Sequence, residues 1–109
     1  MKPETIVLAL GALAQESRLA VYRLLVRRGP EGYTPGEIGE QLDIPAPTLS
    51  FHLKNLTAAG LLDVRRDGRY LYYRANFDRM HRIVGFLTEH CCNLASEGQE
   101  TACRPARSA

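Results

Sequence analysis

The residues best suited to chemistry are three cysteines near the end of the chain, Cys91, Cys92 and Cys103. No histidine has a suitable spacing to bind a metal ion together with these cysteines. Three thiolates alone favour a soft, thiophilic centre over a hard, oxygen-seeking cation. Thiols also undergo redox chemistry, and Cys103 would then pair with Cys91 or Cys92, because a disulfide between adjacent cysteines is strained. A structural interpretation remains open, in which Cys91 is buried in an apolar contact between helices and Cys103 is a thiol in an unstructured C-terminal segment.

The charged residues that could support binding are concentrated in one stretch. The chain has 109 residues and a net charge of +2, and 45% of its residues are hydrophobic. This length supports one domain, and that hydrophobic fraction argues against disorder. Residues 50–75 carry five basic residues against two acidic ones, whereas the rest of the chain is nearly balanced. The stretch is either a modest footprint for a polyanion or a solvated basic face.

The N-terminal apolar run, Ile6 to Ala14, has two interpretations. The run follows the basic Lys2 and ends in small residues that resemble a signal-peptidase cleavage site, so it could be a signal peptide. However, Glu4 cancels the charge of Lys2 and the run is short, so we assign it to the first helix. No stretch approaches the ~20 apolar residues of a membrane span. We therefore expect a cytoplasmic protein with no membrane partner.

Apolar spacing and turn residues predict the elements that position these groups. Helices are expected over residues 4–14 and 17–28, followed by a third from Thr34 to Leu42, where Thr34 and Glu37 form a capping box. Asp43 to Pro47 make a turn, since prolines 45 and 47 should not lie inside a helix, and the next helix runs over residues 48–59. Two short helices joined by a tight turn predict a helix-turn-helix.

A β-hairpin and a last helix complete the predicted order. Strands over residues 61–66 and 69–74 flank Asp67-Gly68, which is a signal for a type I′ turn. Asn76 can cap a final helix over residues 77–92. The fold class is therefore mainly α with a small β-hairpin wing, a winged helix-turn-helix. Because a helix-turn-helix is a DNA-binding motif, we expect residues 1–92 to form a DNA-binding and dimerisation domain. We expect residues 93–109 to form a flexible C-terminal tail that carries Cys103.

The last helix carries an apolar seam with a mean period of 3.5 residues, which is typical of helix pairing. The seam runs from Phe77 to Leu94, and its alternative is a wide core-facing surface. With the first helix also apolar, we predict a homodimer through the first and last helices. The predicted interface residues are Ile6, Leu10, Phe77, Met80, Val84 and Leu87.

The stretch from Ser50 to Leu56, followed by Ala59-Gly60-Leu61, resembles the S-x-H-L-x-x-L…A-G-L signature of the ArsR/SmtB repressors. The wing, and the pattern from Leu13 to Leu25, are similar to the family as well, so that the resemblance covers residues 5–92. Gln15-Glu16 departs from it, because many members have Asp-Pro there, and we expect weaker capping of the second helix.

A helix-turn-helix inserts the start of its second helix into the major groove of double-stranded DNA. A paired protein should therefore recognise an imperfect inverted repeat. Three alternatives remain open: Ser50 could cap or bond within its own helix, His52 could be a core histidine with its hydrogen bonds satisfied, and the wing arginines could be solvated. The predicted DNA contacts are Ala46, Thr48, Ser50, Phe51, His52, Lys54, Asn55, Arg65, Arg66 and Arg69.

The resemblance also implies an inducer, whose site differs among family members. The third-helix site needs a Cys-x-Cys that this chain lacks, and the last-helix zinc site is out of register, with Met80 two residues after Asp78. The C-terminal cysteines resemble those of arsenite-responsive members. Trivalent arsenic, as arsenite or methylarsenite, or trivalent antimony would bind Cys91, Cys92 and Cys103 as inducer and release the repressor from DNA, with no constitutive cofactor.

The coupling hypothesis is that ligation reshapes the end of the last helix at the dimer seam and thereby alters the spacing of the recognition helices. Cys91 and Cys92 would lie about 100° apart on an intact helix, so joint ligation should distort or unwind that turn. A thiol-redox or persulfide sensor on the same scaffold is the alternative. An enzyme is not expected, because the chain lacks H-E-x-x-H, G-x-x-x-x-G-K and G-x-S-x-G motifs.

Overall fold

The computed structural model describes residues 1–94, which form five α-helices and one antiparallel hairpin. The elements in chain order are α1 (Pro3–Leu13), α2 (Glu16–Arg28), α3 (Pro35–Leu42), α4 (Ala46–Ala58), β1 (Leu62–Asp67), β2 (Tyr70–Ala75) and α5 (Phe77–Thr88). This order is that of a winged helix-turn-helix, and it confirms the predicted fold class.

The core lies around α2, which contacts α1, α3, α4 and β2. Its Val21 and Leu25 are fully buried together with Ile38 of α3 and three leucines of α4. These side chains recur at helical spacing, so each helix turns one apolar face inward. The helix-turn-helix is thereby fixed to a common core.

Side-chain caps fix the starts of three helices. The capping box is confirmed, since the Glu37 N–H donates to Thr34 Oγ1 at 3.2 Å and the Thr34 N–H donates to Glu37 Oε1 at 2.9 Å. Asn76 Oδ1 accepts from the Arg79 N–H at 3.0 Å, as predicted. Gln15 Oε1 accepts from the Arg18 N–H at 2.8 Å, so the departure at this position still supplies a cap.

The start of α4 and the wing turn differ from the prediction. The helix begins at Ala46 rather than Thr48, because Pro47 lies in the first turn, where its missing N–H would have no partner within the helix. The two turn residues are Gly68 and Arg69, because Asp67 pairs with Tyr70. Only Gly68 of these two has a positive φ, 61°, which fits a type II′ turn rather than the predicted type I′.

The last helix is shorter than predicted. It ends at Thr88 rather than near residue 92, and Glu89 is extended, with φ −63° and ψ 143°. Cys91 and Leu94 therefore do not continue the apolar seam of α5. The prediction that Cys91 and Cys92 lie about 100° apart on an intact helix is wrong. Residues 95–109, which make up most of the predicted tail, lie outside the described part of the chain.

Candidate DNA interface and cysteine pair

The two faces of α4 differ in burial and chemistry. Leu49, Leu53 and Leu56 lie in the core. Thr48 and Lys54 are exposed on the opposite face. Leucines spaced three or four residues apart anchor one stripe of the helix in the core, so the side chains on the opposite side of the helix face outward. The outward stripe is the surface that a helix-turn-helix presents to the major groove.

His52 belongs to the buried face of α4. Its exposed fraction is 7%, and its Nδ1 has no hydrogen-bond partner within residues 1–94. The reason is its position three residues after Leu49 and four before Leu56. The prediction that His52 contacts DNA is therefore corrected. His52 is a core histidine, which was the alternative, but its Nδ1 lacks the hydrogen bond that this alternative assumed within residues 1–94.

The other predicted residues of α4 remain accessible. Ala46, Ser50 and Phe51 are exposed, like Thr48 and Lys54. Asn55 is half-buried, and its Nδ2 donates to the Phe51 carbonyl oxygen at 3.2 Å. One amide proton of Asn55 is thus used inside the helix, while its Oδ1 and its other amide proton can still contact DNA.

Of the three wing arginines, one has its side chain held by contacts within the protein, and the other two have side chains available to contact DNA. Arg65 Nη2 donates to the Glu31 carbonyl oxygen at 3.0 Å, and its guanidinium lies 4.5 Å from the centre of the Tyr72 ring. The side chains of Arg66 and Arg69 are exposed and form no hydrogen bond or ion pair within the described residues. These two can reach phosphates without first breaking an internal contact.

The exposed apolar surface of α1 and α5 matches the predicted dimer interface only in part. Ile6 is 3% exposed and belongs to the core, so its assignment to the interface is corrected. Leu10, Val84 and Leu87 are exposed, so they are accessible to a second protomer. Phe77 and Met80 are half-buried against the core.

Two residues of this surface were missed, Val7 and Leu8, which are 66% and 67% exposed. The unbroken apolar run in the sequence could have indicated them. A helix that is apolar on all sides is typically buried on all sides, so the face that does not pack on the core needs a second partner.

The cysteine pair lies in the loop after α5. The Sγ atoms of Cys91 and Cys92 are 3.6 Å apart, with Cys91 exposed and Cys92 half-buried. His90 and Cys92 have left-handed φ values of 60° and 65°, so the backbone of this loop is not helical. Cys103 lies outside the described residues. Within residues 1–94 there is no group of three or more His, Cys, Asp or Glu side chains that could hold a metal ion.

An exposed polar stripe on α4 and a basic wing define a DNA-binding protein of the winged helix-turn-helix class. A helix-turn-helix domain family matches residues 13–65. YceK of Bacillus subtilis (strain 168), an uncharacterized HTH-type transcriptional regulator, is 42% identical over 77 residues, which are 70% of this chain and 76% of its own. The arsenical resistance operon repressor of the same organism is 30% identical over 93 residues, 84% of each chain. The chain belongs to the ArsR/SmtB family of transcriptional regulators.

A solved structure supports the same conclusion for the fold. The homodimeric winged helix-turn-helix DNA-binding domain of a possible ArsR-family regulator from Mycobacterium bovis superposes with a TM-score of 0.64. It is 26% identical, and the match covers 80% of this chain and 81% of that one. The relatives are transcriptional regulators rather than enzymes, as predicted. No helix within residues 1–94 is long and apolar enough to cross a membrane.

Proposed function

We propose that this protein is a homodimeric, cytoplasmic repressor that leaves its operator when trivalent arsenic binds the thiolates of Cys91, Cys92 and Cys103. The observation that carries the proposal is the 3.6 Å separation of the Cys91 and Cys92 sulfurs. With bonds of about 2.3 Å, the length typical of a zinc–thiolate bond, one thiophilic ion spans two sulfurs at that distance. Trivalent arsenic accepts three thiolates in a pyramid, and Cys103 supplies the third.

The similarity to an arsenical resistance operon repressor supports this choice of ligand. The cysteines also lie where a ligand can act on the fold, because only Glu89 and His90 separate them from the end of α5. Since the helix has already ended, ligation need not unwind it. Closing the loop around the ion would instead pull on its last turn.

The dimer is proposed from the apolar surface that α1 and α5 expose and from the homodimeric domain of the Mycobacterium bovis relative. Pairing through this surface would hold two α4 helices at a fixed separation on an inverted repeat. A change in α5 would alter that separation. Allosteric coupling is typically ~1–3 kcal/mol, equivalent to a loss of about 5- to 150-fold in DNA affinity.

The test is fluorescence anisotropy of labelled operator DNA with reduced protein, titrated separately with arsenite, methylarsenite, antimonite and zinc. We expect near-stoichiometric release by at least one of the three metalloid species and none by zinc. The double variant Cys91→Ser, Cys92→Ser should bind DNA normally and stay bound. Asn93→Ala, in the same loop, is the matched control and should respond like the wild type. A double serine variant that arsenite still releases would refute the proposal.

A thiol-redox or persulfide sensor is the second candidate, because the exposed Cys91 side chain is accessible to an oxidant and Cys103 would pair with Cys91 or Cys92. In this case peroxide would take two electrons and two protons from a pair of thiols, giving a disulfide and two waters. Reversible release by peroxide or polysulfide, with no response to arsenicals, would favour this candidate over the first.

A further inference from the structure

The three phenylalanines of the chain have different environments. Phe77 and Phe86 of α5 are partly buried and pack against the core. Phe51 is 62% exposed and makes no part of the core. Exposed single hydrophobic residues are common, but a phenyl ring on the outward stripe of a recognition helix lies where bases are read.

The neighbours of Phe51 on that stripe are polar. Thr48 precedes it by three residues and Lys54 follows it by three, so the three side chains lie in a row along one face of α4. All three are exposed. The row offers a hydroxyl, an apolar ring and an ammonium group in succession, with the ring at its centre.

The internal contact of the ring lies on the buried side. The ring centroid of Phe51 is 6.1 Å from that of His52, and the planes are tilted by 59°. His52 is held in the core, and Phe51 therefore has a fixed aromatic neighbour on one side. The rest of its surface remains available for an apolar partner.

We propose that Phe51 reads thymine through its C5-methyl group, a role that rests on the proposed DNA binding by α4. Among the four base pairs in the major groove, the thymine methyl is the apolar group, and Phe is one of the side chains suited to contact it. A phenyl ring cannot accept or donate the hydrogen bonds that identify the other base edges. Thr48 and Lys54 would contact the adjacent acceptors or phosphates.

The test removes the methyl group without changing base pairing. A preferred duplex is first selected with the wild-type protein from a pool of random synthetic duplexes, which contain no methylated cytosine. Each thymine is then replaced singly by deoxyuridine, and the Kd is measured by anisotropy. We expect one thymine in each half-site whose replacement weakens wild-type binding by ~4-fold, the equivalent of burying one methyl group.

The Phe51→Ala variant completes the cycle. It should bind the parent duplex more weakly than the wild type does and should show no further loss at those deoxyuridine positions. Lys54→Ala is the matched control on the same stripe, and it should lose affinity for the thymine and uracil duplexes equally. Thermal unfolding checks that both variants fold.

Two outcomes overturn the inference alone. In one, Phe51→Ala binds the parent duplex as tightly as the wild type; in the other, it keeps the same sensitivity to deoxyuridine, so that another residue reads the methyl. A wild-type protein that selects no duplex would refute the proposed function, and this inference with it. A protein partner on this surface would give the first of these outcomes.

Discussion

Tyr33 and Tyr73 are joined by two backbone hydrogen bonds, of 3.0 and 2.8 Å, between their N–H and carbonyl groups. This pair connects β2 of the wing to the loop that precedes α3. It links the hairpin directly to the helix-turn-helix, so that the wing arginines have a fixed position relative to α4.

Gly32, beside this bridge, should be intolerant of substitution. Its φ is 75°, and a Cβ at this position would lie 2.5 Å from the Tyr73 carbonyl oxygen. We expect Gly32→Ala to lower the free energy of unfolding by about 2–4 kcal/mol, through backbone strain together with displacement of the bridge. Urea unfolding measures the change.

Gly29→Ala is the control for this prediction, because Gly29 also has a positive φ, of 91°, but a Cβ at this position would meet no neighbouring side chain or backbone within 4 Å. It should show only the cost of strain. Equal losses in the two variants would contradict the importance of the close approach to Tyr73.

The sequence predicted much of the fold because short-range signals agree with one another along most of the chain. Thr34, Glu37 and Asn76 act through neighbours three residues away, so that their caps could be read directly. The end of α5 could not be predicted in this way, because Glu89 and His90 are not residue types that typically end a helix. The helix ends there through backbone angles, such as the positive φ of His90, that the sequence does not indicate. His52 shows a second limit, since a polar residue type suggested contact while its helical position dictated burial.

The burial of His52 makes its contribution to stability testable. Because its Nδ1 has no partner within the described residues, replacing the ring by an apolar side chain removes a desolvation cost. We expect His52→Leu to keep the free energy of unfolding within about 1 kcal/mol of the wild type, or to raise it, with DNA affinity unchanged. His52→Ala should lose about 1–3 kcal/mol through the space it leaves. A His52→Leu variant that folds normally but binds DNA poorly would restore the predicted contact.

The capping box makes the stability of α3 depend on pH. The hydrogen bond from the Thr34 N–H, followed by that from its hydroxyl, lowers the pKa of Glu37 below its ordinary value. The folded state therefore favours the charged carboxylate. The resulting stabilisation is present above the ordinary pKa of a glutamate and is lost as the pH falls through the lowered value.

Comparison with Glu37→Gln isolates this effect. The variant keeps an acceptor for the Thr34 N–H but cannot titrate. The wild type should be the more stable of the two near pH 7, and its advantage should decrease as the pH falls below about 4.5, the ordinary pKa of this side chain. Urea unfolding of both proteins across this range provides the measurement, and a difference that does not change with pH would argue against the carboxylate.

Leu8 should be needed for dimer formation but not for folding of the protomer. It is 67% exposed on α1, so a charge there costs the protomer little and would be buried on pairing. We expect Leu8→Glu to weaken dimerisation by more than tenfold, as measured by analytical ultracentrifugation. Leu19→Glu, at an exposed leucine of α2, is the matched control and should leave the dimer intact. Equal behaviour of the two variants would remove α1 from the interface.

Arg66 and Arg65 are adjacent on β1 but should affect different properties. The Arg66 side chain is exposed and forms no hydrogen bond or ion pair inside residues 1–94, whereas the Arg65 side chain donates a hydrogen bond to the Glu31 carbonyl oxygen. Arg66→Ala should weaken DNA binding at least tenfold, by ~1.4 kcal/mol or more, and reduce the slope of log K against log salt by about 1.8, because the dimer loses one phosphate contact in each protomer. Arg65→Ala should instead lower thermal stability and change the salt slope little. An unchanged slope for Arg66→Ala would show that this wing residue does not contact the backbone of DNA.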